Sequence, residues 1–240
     1  MSIHFRYRAY RARWFRQSGE IRAVLTHLRA GDTALDVGAH KGRYTYWMRR
    51  AVGADGRVLA FEPQPRLAAY LQVAVARMGW RNVAVRPCAV GDAAGSAVLH
   101  VPGERGVSAG ASLDSAAYAA GSPLHLTCEV TTLDRETEGL GRVALVKVDV
   151  EGHEWQVFRG AERLLRRDAP VLLFECERRH LKDHTVQDVF GWLEGLGYEG
   201  AFFAPVALRP LATFDPAVHQ AEGPGHAGPY CNNFLFTPRR

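Results

Sequence analysis

Apolar runs of four to six residues recur along this chain, and between them lie longer segments whose apolar residues fall at helical spacing. A short run buried on both faces is what a strand of a parallel sheet needs, and a helix laid over that sheet supplies the spacing of three and four that follows. The pattern predicts an α/β fold, a mostly parallel sheet flanked by helices. Strands are expected at Thr33–Val37, Arg57–Phe61, Asn82–Pro87, Ala97–Val101, Leu126–Val130, Val143–Val148, Val171–Phe174, about Tyr198–Phe203 and Asn232–Phe236. Helices are expected from near Ser18, whose hydroxyl suits a cap, and over Lys41–Val52, Gln64–Met78, His153–Arg166 and Thr185–Leu196. Two stretches fit neither period. Pro102–Pro123 is rich in Gly, Ala and Ser, and Pro205–Gly228 holds four prolines, so both read as long loops of the kind that cover or shape a site.

The composition, 47% hydrophobic and 23% charged over 240 residues, excludes a disordered, collagen-like or coiled-coil chain. No unbroken apolar run approaches the roughly 18 residues of a membrane span, and the N-terminus lacks the apolar stretch of a secretory signal, so a soluble, cytoplasmic protein is expected. Cys88, Cys128, Cys176 and Cys231 lie 40 or more residues apart, which argues against a zinc site and a disulfide framework. The net charge of +5 is concentrated in residues 1–17, with Arg6, Arg8, Arg11, Arg13, Arg16 and no acid. The remaining 25 basic and 25 acidic residues balance, so no nucleic-acid-binding surface is expected. Phe5, Tyr7, Tyr10, Trp14 and Phe15 in the same arm suit an amphipathic helix packed on its own domain; an acidic partner and peripheral contact with a membrane surface are the alternatives. Residues 1–30 read as a basic, aromatic arm and helix, and 31–240 as one domain.

Chemistry concentrates in two segments. In Leu35-Asp36-Val37-Gly38-Ala39-His40-Lys41-Gly42 a strand ends in a carboxylate and enters a glycine-bearing turn before a helix, where backbone can approach a ligand and helix N–H groups can receive an anion. At the end of the next strand, Glu62 in Phe61-Glu62-Pro63 stands where doubly wound folds place an acid on ribose hydroxyls. The turn lacks the third glycine of a dinucleotide fingerprint, and Asp36 would repel a phosphate. Asp36 suits instead an amino group such as that of the methionine part of S-adenosylmethionine, with the helix start serving its carboxylate. Tyr44 and Thr45, on the first turn of that helix, either reach the same carboxylate or pack. The second segment is Lys147-Val148-Asp149-Val150-Glu151-Gly152-His153-Glu154. An unpartnered carboxylate closing an apolar strand is costly, which marks Asp149 as functional. His153 is a candidate general base because imidazole titrates near neutrality, and Glu151 a second one. Glu151 and Glu154 equally suit the positive end of a helix dipole, and Lys147 reads as a lysine whose ammonium snorkels outward. Glu175 ends the next strand on the same edge, with Glu177 and His180 near it and no spacing that defines a metal site.

The segments DVGAHKGRYTYWMRR from Asp36, GRVLAFEPQP from Gly56, NVAVRPCAVGD from Asn82, TTLD from Thr131 and VKVDVEGHEWQVFRGAERLL from Val146 resemble the FkbM-type S-adenosylmethionine-dependent methyltransferases. The resemblance implies a Rossmann-like class I methyltransferase domain over 31–240 with a seven-stranded sheet, S-adenosylmethionine as methyl donor with S-adenosylhomocysteine as product, and O-methylation of a small molecule or sugar. It implies cofactor contacts at Asp36 and Gly38 around the methionine part, at Glu62 on the ribose, and at Cys88 and Ala89 beside the adenine; the residues themselves add His40, Gly42, Tyr44 and Asp149 as further candidate contacts. His40 stands where the family most often has a small amide. Asp149 and His153 are the leading catalytic pair, with Glu151 and Glu175 beside them, and a divalent metal is not favoured. Two rivals stay open: a nicotinamide-dependent oxidoreductase, and a non-catalytic cofactor-binding module on the same fold.

Overall fold

The computed structural model describes residues 2–15, 18–103, 106–113, 124–181, 183–205, 207–221 and 228–239. Its helices are α1 (Ser2–Phe15), α2 (Ser18–His27), α3 (Arg43–Val52), α4 (Pro65–Arg77), α5 (Leu133–Glu136), α6 (Glu154–Arg159), α7 (Glu162–Asp168), α8 (Val186–Gly195) and α9 (Pro216–His219). Its strands are β1 (Thr33–Val37), β2 (Arg57–Phe61), β3 (Val83–Arg86), β4 (Ala89–Val90), β5 (Gly95–Val101), β6 (Leu124–Thr131), β7 (Val143–Val148), β8 (Val171–Glu175), β9 (Tyr198–Phe203), β10 (Leu208–Pro210) and β11 (Asn233–Pro238). The main sheet has the order β10-β9-β11-β8-β7-β1-β2-β3. Strands β3, β2, β1, β7 and β8 are parallel, and β11 runs antiparallel to both β8 and β9. The expected seven strands are thus present, joined by the three-residue β10 at the β9 edge. Strands β5 and β6, with β4, form a separate three-stranded sheet.

Alternation along the strands divides the core. Leu35 and Val37 of β1, Leu59 and Phe61 of β2, and Val146 and Val148 of β7 pack on the side of α6 to α8. Ala34, Val58, Ala60 and Leu145 face the side of α1 to α4. Asp36 and Lys147 fall by the same period on this second side, opposite each other in register on β1 and β7. Here α1 docks through its described residues. Phe5 is buried edge-on against Tyr46 and Trp80, and Trp47 Nε1 donates to Ala9 O at 3.0 Å. The arm is therefore packed on its own domain along this helix. Arg16 and the side chains of Arg13, Trp14, Phe15 and Ser18, with the cap expected of Ser18, lie outside the described residues. No helix among the described residues is long and apolar enough to cross a membrane.

Two local expectations need correction. The helix expected over His153–Arg166 is two helices, α6 and α7, broken at Gly160. A Cβ on Gly160 would lie 2.0 Å from Gly91 O, so the backbones meet there. Gly160 O accepts from Asp134 N at 2.9 Å instead of continuing a helix, and the Asp134 carboxylate caps α7 by accepting from Arg163 N (3.1 Å) and Leu164 N (2.8 Å). Pro205–Gly228 is not all loop: its described part holds β10, a 3₁₀ turn at Leu211–Thr213, and α9, which Asp215 caps by accepting from Ala217 N at 2.8 Å. Residues 206 and 222–227 lie outside the described residues, as do 104–105 and 114–123 of the loop expected over Pro102–Pro123.

Candidate active site

The carboxyl ends of β1, β2, β7 and β8 open on a cleft of about 260 Å³. Its floor is made by two touching turns. Gly38, at φ 74°, lies so close to the β7 turn that a Cβ would stand 1.8 Å from Asp149 O, and Asp149 N donates to Val37 O at 3.1 Å. Only glycine fits there. Gly38 N and Ala39 N both donate to Phe61 O, which ties the same turn to the end of β2. His40 follows in the left-handed region, φ 48°, where a histidine or small amide is better tolerated than most side chains. Its N–H donates to Glu62 Oε2 at 2.6 Å, while Gln64 N donates to Oε1 at 2.9 Å. Glu62 is 2% exposed and lines the cleft. Burial pushes its carboxyl up to about 7 against the pull of these two N–H groups. Burial, with Lys41, Arg8 and Arg43 nearby, pushes His40 down to about 4, so its imidazole is neutral.

Two expected cofactor residues do not reach this space. Asp36 is completely buried beneath it, where it accepts from Thr45 Oγ1 at 2.5 Å and faces Lys147 Nζ at 3.7 Å. Gly42 sits behind the cleft, and a Cβ there would meet Leu71 at 2.4 Å, so packing of α3 against α4 accounts for it. Tyr44 does line the cleft, its ring 5.0 Å from Lys147 Nζ, and Thr45 is the partner of Asp36.

On the β3 side the cleft narrows to an apolar slot. Cys88, Ala89 and Val90 form one wall; Leu99 of β5 with Ala109, Ala111 and Leu113 forms the other. Burial raises the Cys88 thiol to about 11, so it is protonated. The segment 106–113 is tied over the slot at two points. Gln64 and Ser108 exchange side-chain and backbone hydrogen bonds at 2.9 and 2.8 Å, and Ser112 Oγ donates to Glu151 O at 2.7 Å.

On the β8 side stand carboxylates. Asp149, Glu151 and Glu175 offer oxygens that all lie within 4.8 Å of one another. Lys147, almost wholly buried, reaches under them: its Nζ is 3.3 Å from Asp149 Oδ2 and donates to Gly38 O at 3.1 Å. Burial works against its charge, but Asp149 and Asp36 overcome this and raise its affinity for the proton. The snorkelling expectation for Lys147 is thus wrong; its ammonium is the countercharge of two acids. Glu151 occupies the left-handed region at φ 56°, and burial with Asp149 and Glu154 pushes its carboxyl up to about 8. Glu154 shapes this turn by accepting from Val150 N and Gly152 N, with its own carboxyl at about 7 through burial. Glu175 rises to about 10 through burial, then Asp149 and a hydrogen bond with Glu177. Glu177, expected only as a neighbour of Glu175, is a buried hub that accepts from Tyr230 Oη (2.9 Å), Asn232 Nδ2 (2.6 Å) and Arg179. His153 lines the cleft, but its Nε2 lies 3.2 Å from where Gly91 would carry a Cβ, on the side of the Cys88–Val90 wall. The carboxylate group forms without it.

A family model described as the methyltransferase FkbM domain matches residues 36–199. No curated protein sequence matches the chain. Among solved structures, the methyltransferase FkbM from Methylobacillus flagellatus matches with a TM-score of 0.55 at 17% identity, over 95% of this chain and 47% of that one. A methyltransferase-fold protein from Streptococcus mutans, solved in complex with SAH, matches with a TM-score of 0.51 at 9% identity, over 92% and 96%. The chain thus spans about half the length of the FkbM structure, and at these identities the likeness is one of fold.

Proposed function

The chain belongs to the FkbM methyltransferase family, and on that premise we propose that it is an S-adenosylmethionine-dependent O-methyltransferase acting on a hydroxyl of a small molecule or sugar. The single observation that carries this reading is one cleft with a ribose-type acid, Glu62, beside an apolar slot and a cluster of carboxylates at its far end. The cofactor supplies, when bound, a methyl group on a positively charged sulfonium. The cleft suits such a guest in its parts, with Arg8, Lys41 and Arg43 in its lining to meet the carboxylate. The slot between Cys88–Ala89 and Leu99 takes a flat, uncharged heterocycle. Each Glu62 oxygen accepts one backbone N–H and retains a lone pair for a hydroxyl. Asp149 and its neighbours favour a cation, whereas the diphosphate of a nicotinamide dinucleotide would meet them as like charge.

In the proposed chemistry Asp149, fixed by Lys147, orients the acceptor hydroxyl and the amino group of the cofactor. Glu151, protonated up to about pH 8 in the free protein, is turned toward its carboxylate form by an arriving cation, and in that form it takes the hydroxyl proton as the new C–O bond forms. Glu175 is neutral at physiological pH and donates its proton in hydrogen bonding rather than accepting one. Glu151 and Glu175 hold protons before ligand binds, and a divalent cation would have to displace both before the three carboxylates could bind it together. Transfer is therefore assigned to the residues alone, and activity unchanged by EDTA is expected. The Gln64–Ser108 and Ser112–Glu151 ties hold the 106–113 segment at the slot. Residues 31–240 form the methyltransferase domain in this reading and 1–30 complete its α1–α3 side. The buried free thiols of all four cysteines suit a reducing, cytoplasmic setting.

Isothermal titration with S-adenosylmethionine, S-adenosylhomocysteine and NADH tests the reading. Micromolar binding of the first two and none of NADH is expected, with Glu62→Ala weakening both by about 10- to 100-fold, the worth of hydrogen bonds to a charged group. NADH binding in their place would restore the oxidoreductase. Tight cofactor binding without methyl transfer to any of a panel of hydroxylated acceptors would favour the non-catalytic module.

A further inference from the structure

Beside the carboxylate group lies a second pocket. Arg43 and Glu175 line both the cleft and this second chamber of about 420 Å³, which lies between the start of β11, the end of β9 and α2. The other polar walls are Glu20, Tyr230, Asn232 and Asn233, with the Phe203 ring beside them. A relay of hydrogen bonds rooted in the buried Glu177 sets these groups. Asn232 Nδ2 donates to Glu177 Oε1 at 2.6 Å, Asn233 Nδ2 donates to Asn232 Oδ1 at 2.9 Å, and Tyr230 Oη donates to Glu177 Oε2 at 2.9 Å. With one Nδ2 hydrogen given to Asn232, Asn233 has its second N–H and its carbonyl oxygen to offer. The fixed charges cancel: Glu20 and Arg43 are within Coulombic reach of each other, and Glu175 is neutral near pH 7. A charged ligand would gain no net attraction. A ligand with many hydroxyls would find alternating donors and acceptors, with two aromatic rings to take its C–H faces.

We propose that this second chamber is the acceptor subsite and that it takes a neutral, polyhydroxylated ring, a carbohydrate, whose reacting hydroxyl projects past Glu175 into the cleft. The proposal rests on the methyltransferase reading and narrows its acceptor.

The test is protein-observed NMR on the chain saturated with S-adenosylhomocysteine. It is titrated with the methyl glycosides of glucose, mannose and rhamnose, and with glucuronate and glucosamine as charged counterparts. At least one neutral glycoside should shift the amide signals of residues 175–177 and 230–233 with millimolar affinity, and neither charged sugar should bind more tightly. Asn233→Leu and Tyr230→Ala should each weaken that binding by about tenfold, the loss of one good contact. An affinity for S-adenosylhomocysteine within about twofold of the parent would show both variants to be folded. No shift at these amides, tighter binding of a charged sugar, or full affinity in both variants would overturn the proposal. Failure of S-adenosylhomocysteine to bind would sink the methyltransferase reading by itself, and the glycoside titration of the free protein would still decide the chamber.

Discussion

Glu62 at one end of the cleft and the Asp149–Glu151–Glu175 group at the other are all carboxyls removed from bulk water, yet they are held in different ways. Glu62 is fixed by two backbone N–H groups on turns that the fold itself positions. The far group leans on protons and on one buried ammonium, Lys147, which serves Asp36 as well. A carboxylate tied by main chain depends on no other side chain, while a crowd of carboxylates around one cation has a charge that pH and ligands can change. The first arrangement suits unvarying recognition of hydroxyls; the second suits a site that must meet a cation and move a proton.

The largest effect expected from breaking this contrast is on Lys147→Met. Removing one partner of a buried ion pair typically costs about 3–5 kcal/mol, since it strands the other charge. Here two acids are stranded, and Asp36 Oδ1 has no hydrogen bond of its own. Urea unfolding at pH 7 should show a loss of this size. A stranded Asp36 has its proton affinity raised in the folded state, so it contributes stability below its unfolded value and loses it as pH rises; the deficit of the variant should therefore shrink toward pH 5. Glu62→Gln, which keeps one carbonyl acceptor for two N–H donors, should cost about 1–2 kcal/mol. Equal losses at the two ends would erase the distinction.

The sequence carries one end of the cleft better than the other. The strands β1, β2 and β7 start and stop where the apolar runs place them, and the Gly38 turn and Glu62 lie where a nucleoside-binding sheet needs them. These are local signals: a glycine between a strand and a helix, an acid closing an apolar run. Lys147 was misread because its partner Asp36 is brought opposite by strand register, across more than a hundred residues. A regular strand does put Lys147 and Asp149 on one side, two residues apart, and that was the signal available. The break at Gly160 has an equally remote cause, the approach of Gly91. The start of α9 is missed in the loop expected over Pro205–Gly228, although Asp215 before Pro216 is a helix-start signal. His153 drew attention by residue type, but its neighbours, Gly91 and the Cys88–Val90 wall, come from elsewhere in the chain.

A smaller effect separates the ends by charge. S-adenosylmethionine is cationic at sulfur and S-adenosylhomocysteine is not, so their affinity ratio reads the far group alone. Asp149→Asn should lower the preference for the sulfonium by about tenfold, the order expected for one partly exposed charge at contact distance. Glu62→Ala should weaken both ligands alike and leave the ratio unchanged. Titration calorimetry of the two ligands on both variants decides it, and an altered ratio in Glu62→Ala would mean that the acidic field is shared along the cleft.

The least effect is the most specific. Glu151 holds its proton up to about pH 8, so between pH 6.5 and 9 it passes from neutral to charged. The carboxylate form attracts a sulfonium and the neutral form does not, so the preference for S-adenosylmethionine should rise a few-fold, on the order of 1 kcal/mol or less, over that range. Glu154, whose carboxyl lies at about 7, acts in the same direction as it charges, and Glu175 lies too high to contribute fully below pH 9. His40 titrates near 4 and is constant throughout. Glu151→Gln separates these sources: the pH dependence should flatten if Glu151 is the group that charges. If the variant keeps the full rise, Glu154, whose carboxyl charges near 7, carries it, and Glu151 is then not the adjustable acid of the far group.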